Sequence, residues 1–273
     1  MNVCVYRTTG AISSRRWRDE RVAYDAGISS ATAHPRYAVK VKRSLASLVL
    51  LSAVLVAAAT QTPAEAANSP SPTALAASAV LNAKSELSVR VDSSATLGAK
   101  KISIVTDAAR LYGVQKVTIR QSGAVNRVTA ELIDNVIYVK GDASSLETFL
   151  NLSTTIATQL SNQWFYIKGT SAEYGEVAQG MTIASGMSEV AFQKVVTSHG
   201  TKTIDGTKVT VLTGTSVPVS GPAYRETMDV STSAKPLPVK VVQTLKGQTA
   251  TFTFSKWNEN FLLSAPDAKF QLT

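Results

Sequence analysis

The chain changes hydrophobic period several times, and those changes outline its elements. Ala74–Ala83 is rich in Ala and Leu and predicts a helix, with Thr73 placed to cap it. The period then becomes two. Leu87, Val89 and Val91 alternate with Ser88 and Arg90, and Ile102 and Ile104 continue the alternation. Lys116–Arg120 and Asn126–Leu132 flank Ser122-Gly123, and Val136–Lys140 follows across Asp134-Asn135. With two residues in each turn, the registers agree: Val117 faces Val128, Leu132 faces Ile137, and Ala130 faces Val139. One face of this meander is apolar, carrying Val117, Ile119, Val128, Ala130, Leu132, Ile137 and Val139. The other carries Thr118, Arg120, Arg127, Thr129, Glu131 and Lys140.

The middle of the chain switches to helical spacing. Ser144–Leu160 sets Leu146, Phe149, Leu150, Ile156 and Leu160 on one stripe, and Trp164–Lys168 reads as a short strand. Glu173–Met181 holds a helical turn, and Met187–Thr197 predicts a second helix with Met187, Val190, Ala191 and Val195 on one side. After Gly200 the strands resume. Asp205-Gly206 turns into Lys208–Leu212, and Lys246-Gly247 joins Pro238–Leu245 to Gln248–Ser255. That register gathers Val239, Val241, Ala250, Phe252 and Phe254, with Thr249, Thr251 and Thr253 outside. Pro236 and Pro238 suit an edge strand, and Asn260–Ser264 is a last short strand closed by Pro266. The pattern predicts an α+β domain: one curved antiparallel sheet, dry on one face, with helices laid against that face.

Charge and cysteine usage alter this picture mainly at the N-terminus. The 273 residues carry a formal +9, but residues 1–66 hold nine basic and four acidic side chains. The remaining 207 residues hold 19 and 15, with no basic run interleaved with aromatics, so nucleic acid is not an expected partner. Lys40, Lys42 and Arg43 precede the apolar stretch 45–59, and Ala64-Glu65-Ala66 follows. That order is a signal peptide, too short and too serine-rich for a membrane span, with cleavage expected after Ala66 or Ala67. Residues 1–38 fit no secretion logic and read as a mis-assigned start, with Val39 or Val41 as the natural initiation site. The expected organisation is therefore leader 1–38, signal peptide 39–66, linker 67–73 and one domain over 74–273. Cys4, the only cysteine, lies in that leader. The exported domain thus has no disulfide, thiol nucleophile or lipobox cysteine, and is expected to be soluble in the extracytoplasmic envelope.

Motifs of catalysis are missing. H-E-x-x-H, G-x-S-x-G, a Walker loop and G-x-G-x-x-G are all absent from the sequence. His199, the only histidine of the domain, is placed by the pattern at a helix end beside Gly200, where it caps rather than catalyses. Asp134, Asp142 and Asp205 fall at turns. The expectation is a non-enzymatic protein with no cofactor and no metal.

Four segments carry a resemblance: Val128–Asp142, the helix ending in Leu160–Lys168, Leu237–Val242, and Thr251–Pro266. Their order resembles the LolA-like half-barrel lipid carriers, and most closely the actinobacterial cell-envelope lipoproteins that carry acylated glycolipids. The resemblance implies an incomplete β-barrel whose concave apolar face, with helices packed on it, encloses acyl chains. The lining it implies is Val117, Ile119, Val128, Leu132, Ile137, Val139, Phe149, Ile156, Leu160, Met187, Val239, Val241, Phe252 and Phe254. Its implied partners are an acyl lipid or glycolipid, a transport partner protein of the envelope, and a transient contact with the membrane. The same apolar residues would equally fill a closed core, which leaves an envelope interaction module as the alternative. A hydrolase built from carboxylates that converge only in space is the third reading.

Overall fold

The computed structural model describes residues 36–37, 70–216 and 223–272. The signal peptide, the start site, Cys4 and the first part of the linker lie outside the described residues. Strand β1 (Arg36–Tyr37) precedes helix α1 (Pro72–Ser85). A meander follows: β2 (Ser88–Leu97), β3 (Lys100–Ala109), β4 (Gly113–Gln121), β5 (Ala124–Ile133) and β6 (Val136–Gly141). The middle contains α2 (Ala143–Leu150), α3 (Thr154–Leu160), β7 (Phe165–Lys168), α4 (Tyr174–Val177) and α5 (Ile183–Glu189). The second run is β8 (Lys194–Ile204), β9 (Thr207–Ser216), β10 (Tyr224–Ser231), β11 (Pro238–Leu245), β12 (Gln248–Ser255) and β13 (Phe270–Leu272). All the strands join one sheet in the order β1-β13-β7-β6-β5-β4-β3-β2-β12-β11-β10-β9-β8. Its ends do not meet, so the curved sheet is an open α+β half-barrel, antiparallel except where β13 meets β7 and β1.

Turn chemistry sets the register. Ser122-Gly123, Asp134-Asn135, Asp205-Gly206 and Lys246-Gly247 all adopt positive φ at both central positions, the twist that tight hairpins require. The expected pairs Val117↔Val128, Leu132↔Ile137, Ala130↔Val139 and Val241↔Phe252 are all present.

The apolar face is covered in two places. One cluster packs β4–β7 and Leu272 against α2, α3 and α4 through Leu146, Ala157, Leu160 and Val177. The other packs β2 and β9–β12 against α1 and α5 through Ala79, Ala83, Ile183 and Met187.

Several elements differ from the sequence pattern. The cap of α1 is Ser71, which accepts from the Ala74 amide, with Pro72 at the first helical position. The helix expected over 144–160 is two helices, because Asn151 adopts left-handed φ of 53° and Ser153 starts a new cap. Leu152 is buried in the link, so the apolar stripe runs unbroken across the bend. The helix expected over 187–197 ends at Glu189, and Lys194–Ile204 is edge strand β8 instead. Its β-branched run Val195–Thr197 favours a strand, and a bulge between Ser198 and Thr201 accommodates Gly200 at φ 84°. His199 therefore lies in a strand, with Nε2 2.7 Å from Thr213 Oγ1, and caps no helix. Strand β11 is internal, between β10 and β12, so its prolines do not mark an edge. Leu87 precedes β2 and is exposed, unlike buried Val89.

Residues 260–264 form no strand, and the last strand is β13. Side chains tie the segment before it in place of a ladder. Asn258 accepts from the Leu87 amide at 2.7 Å and donates to Glu86, and Tyr112 donates to the Phe261 carbonyl at 3.2 Å.

Candidate functional site

Cross-strand registers place the inward-facing residues in lateral rows. One row runs Glu226, Gln243, Ala250, Ala95, Ile102, Ile119 across six strands. The next runs Met228, Val241, Phe252, Ser93, Ile104, Val117, Val128. The ends of both rows are buried. α1 packs on β8, β10 and β11 at one side, and α2 packs on β5 at the other. Between them, Val91, Ala95, Ile102, Ile104 and Ala250 are only half-buried, as are Leu97 and Leu245 on the same face. The result is an apolar strip on β12, β2 and β3 between two helix-covered walls. From Gln243 to Ile119 it crosses four strand spacings, roughly 19 Å.

The residues singled out from sequence divide around this strip. Val117, Ile119, Val128, Leu132, Ile137, Val139 and Leu160 are buried in the first cluster, with Phe149 and Ile156 half-buried against it. Met187, Val241, Phe252 and Phe254 are buried in the second. Val239 belongs to neither. The register jumps from Asp229↔Lys240 to Val230↔Pro238, leaving Val239 as the extra residue of a bulge, half-buried. The candidate lining thus forms mostly the walls. Of the strip itself, alternation alone reveals Val91, Ile102, Ile104 and Ala250 as inward positions. Ala95 and Leu97 are hidden because Ser93 and Ser94 interrupt the apolar period.

A polar cluster that no motif or periodicity in the chain announces ends the first row. Glu226 is fully buried on β10. Its Oε2 accepts from Ser216 Oγ at 3.0 Å and Gln243 Nε2 at 2.9 Å. Gln243 Nε2 also donates to the Glu189 carbonyl at 3.1 Å, as does the Tyr224 hydroxyl at 3.1 Å. Among the described residues Glu226 Oε1 has no hydrogen-bond partner. Burial pushes the carboxyl up to about 7, against the pull of the Gln243 and Ser216 hydrogen bonds. Burial and the nearby Glu226 charge push the Tyr224 hydroxyl up to about 12.

Three other ion pairs tie parts of the fold together. Glu86, at the end of α1, pairs with Lys235 at 2.5 Å and accepts from Asn258. Burial pushes its carboxyl up, but these partners together hold it below the usual carboxylate range. On the opposite face of the sheet Lys202 meets Asp229 at 2.9 Å, and Arg90 grips Asp107 through two bonds of 2.6 and 2.7 Å. Among the described residues no three His, Cys, Asp or Glu side chains gather as a metal site. No described helix is long and apolar enough to cross a membrane.

An open antiparallel half-barrel with helices on its apolar face is a defined structural class, and LprF is a solved structure that shares this fold. LprF from Mycobacterium bovis superposes with a TM-score of 0.51 at 15% identity, over 72% of this chain and 98% of that one. The Mycobacterium tuberculosis lipoprotein LppX gives a TM-score of 0.47 at 18% identity, over 72% of this chain and all of that one. The likeness to LprF agrees with the LolA-like half-barrel fold that the sequence resemblance implies. No family model matches the sequence, and no curated protein matches it.

Proposed function

We propose that the protein is an exported, non-enzymatic lipid carrier of the bacterial cell envelope that holds acyl chains non-covalently along the strip on β12, β2 and β3. The observation that carries this reading is that strip: half-buried aliphatic side chains on the dry face, flanked by two packed walls. Each CH2 removed from water contributes about 0.8 kcal/mol, so a long acyl chain binds such a surface without any catalytic group. The resemblance read from the sequence points to the same cargo, an acyl lipid or glycolipid. The carrier domain spans 74–273 and follows signal-peptide cleavage.

Two measurements test this. Protein purified from a lipid-containing host should release acyl lipid on solvent extraction, and the delipidated protein should bind a long-chain fluorescent fatty acid. Ala95→Asp places a charge in the middle of the strip, where it stays wet when the site is empty but is desolvated by a bound chain. It should weaken probe binding more than about tenfold while leaving the thermal midpoint nearly unchanged. Unchanged probe binding would remove the strip from consideration. No lipid and no probe binding in the wild type would favour the interaction module.

Export makes a separate expectation. N-terminal sequencing of secreted material should begin at Ala67 or Asn68. Cleavage there removes β1, which contributes only Arg36↔Gln271 and Tyr37↔Leu272 at the edge of the sheet. Recovery of a secreted chain that retains Trp17 would overturn the assigned signal peptide.

A further inference from the structure

At the hairpin-tip end of the strip the outward face is basic. Lys101 on β3 is paired in register with Arg120 on β4, and both are exposed. Lys100, Lys246 at the β11–β12 turn and Arg225 on β10 lie at the same end of the sheet. Among the described residues none of these cations forms an ion pair. Two carboxylates at that end are engaged or hidden. Asp142 caps α2 and accepts from the Arg127 amide at 2.9 Å, and Glu226 is fully buried. Between the β2–β3 and β4–β5 tips lies an open cleft of about 270 Å³, lined by Ala99, Lys101, Arg120, Gly123 and Val125. Apolar side chains share this rim: Val125 is 40% exposed, and Leu97 and Leu245 are half-buried on the strip side. Cations beside aliphatic side chains at the open end of a groove fit a surface that is anionic outside and apolar beneath.

We propose that the hairpin-tip end docks on an anionic phospholipid bilayer, with a lipid phosphate seated in the cleft between Lys101 and Arg120. The proposal extends the carrier reading by naming where the strip meets the membrane that supplies or receives its cargo. Docked this way, Leu97 and Leu245 face the headgroup region and the strip runs inward from it. A chain leaving the bilayer then passes from lipid to protein with little exposure to water.

The test is flotation of the full chain with phosphatidylcholine vesicles, with and without phosphatidylglycerol, at low and high salt. The leader and residues 45–59 are common to every sample, so differences between vesicle types and between variants are the readout. Wild type should bind the phosphatidylglycerol vesicles more tightly, and salt should weaken the difference. Each cation near such a surface is worth about fivefold, so Lys101→Glu with Arg120→Glu should lose about 25-fold or more of that preference. Lys208→Glu, beside the β8–β9 turn at the opposite end, should lose none. Equal binding to both vesicle types, or equal losses in the double variant and in Lys208→Glu, would overturn the proposal. Fatty-acid binding by the same variants without vesicles separates the two claims. If wild type binds no probe yet shows the Lys101- and Arg120-dependent preference, docking stands and the carrier reading falls. Probe binding without that preference means the reverse.

Discussion

Val128→Asp is expected to unfold the domain, whereas Thr129→Asp next to it should be tolerated. Val128 is 2% exposed and sits between Val117 and Gly141 in the first cluster, with no cation facing it. An unpaired carboxylate there costs several kcal/mol, a large share of the stability of an ordinary domain. Thr129 points to the opposite face, between Lys116 and Lys140, so an aspartate there gains two cationic neighbours. Its effect should stay within about 0.5 kcal/mol. The second cluster gives the same contrast. Phe252→Asp should unfold the protein, while Thr251→Asp, between Val242 and Ser94 on the outward face, should not. Denaturant titrations followed by near-UV circular dichroism measure all four. Milder changes separate wall from strip. Phe252→Ala should cost ~3–5 kcal/mol because Phe252 is packed among Val241, Met228 and Phe254, and Ile104→Ala, already half-exposed, about 2 kcal/mol or less. Collapse of the threonine variants with survival of the apolar ones would mean the opposite strand phase.

The hairpins were legible because their information is local. A two-residue turn that demands positive φ fixes the register, and the register fixes which alternate residues share a face. What the sequence left unread depends on partners far along the chain. The Val195–Thr197 run is apolar and adjoins a true helix, so its period alone does not exclude helix. Its pairing with β9, across the Asp205-Gly206 turn, decides for strand. The segment 260–264 has the composition of a strand but no ladder partner, and Leu262 is left 94% exposed. The candidate site depends on which inward positions the helices cover. Alternation identifies inward positions, but only the placement of α1, α5 and α2 decides which of them are sealed. Ile137 and Phe252 lie beneath the helices and become walls, whereas Ile102 and Ile104, just as apolar, stay half-buried in the strip with Ala95 and Ala250. Glu226 was invisible for a different reason. It stands among alternating polar residues in Tyr224–Ser231, and its burial comes from Gln243, Ser216 and the end of α5.

Glu226 makes the chain's stability fall as pH rises through the weakly acidic range. Its carboxyl titrates at about 7 in the folded protein against an ordinary value of 4.5, because burial penalises the charged form. Between these values the folded state holds a proton that the unfolded state has lost. The contribution is therefore fully present below about pH 4.5, shrinks as pH rises, and is gone above about 7. The gap corresponds to roughly 3 kcal/mol. Glu86 and Asp142 run the other way, since both carboxyls are held below their ordinary values, and they favour the fold as pH rises through the acid range. The whole-protein profile mixes these slopes, so the decisive quantity is the difference between wild type and Glu226→Gln. The amide oxygen can still accept from Ser216 and Gln243, while the group can no longer ionise. Relative to wild type the variant should gain stability steadily from pH 4.5 to 7. Between pH 4.5 and 8 the difference should widen by about 3 kcal/mol, or roughly 2–4 °C in Tm for each kcal/mol. Thermal melts of both proteins from pH 4 to 8 give that difference directly. A constant offset would mean that Glu226 does not titrate in a desolvated site, and that its carboxyl is wetted from the strip at Gln243.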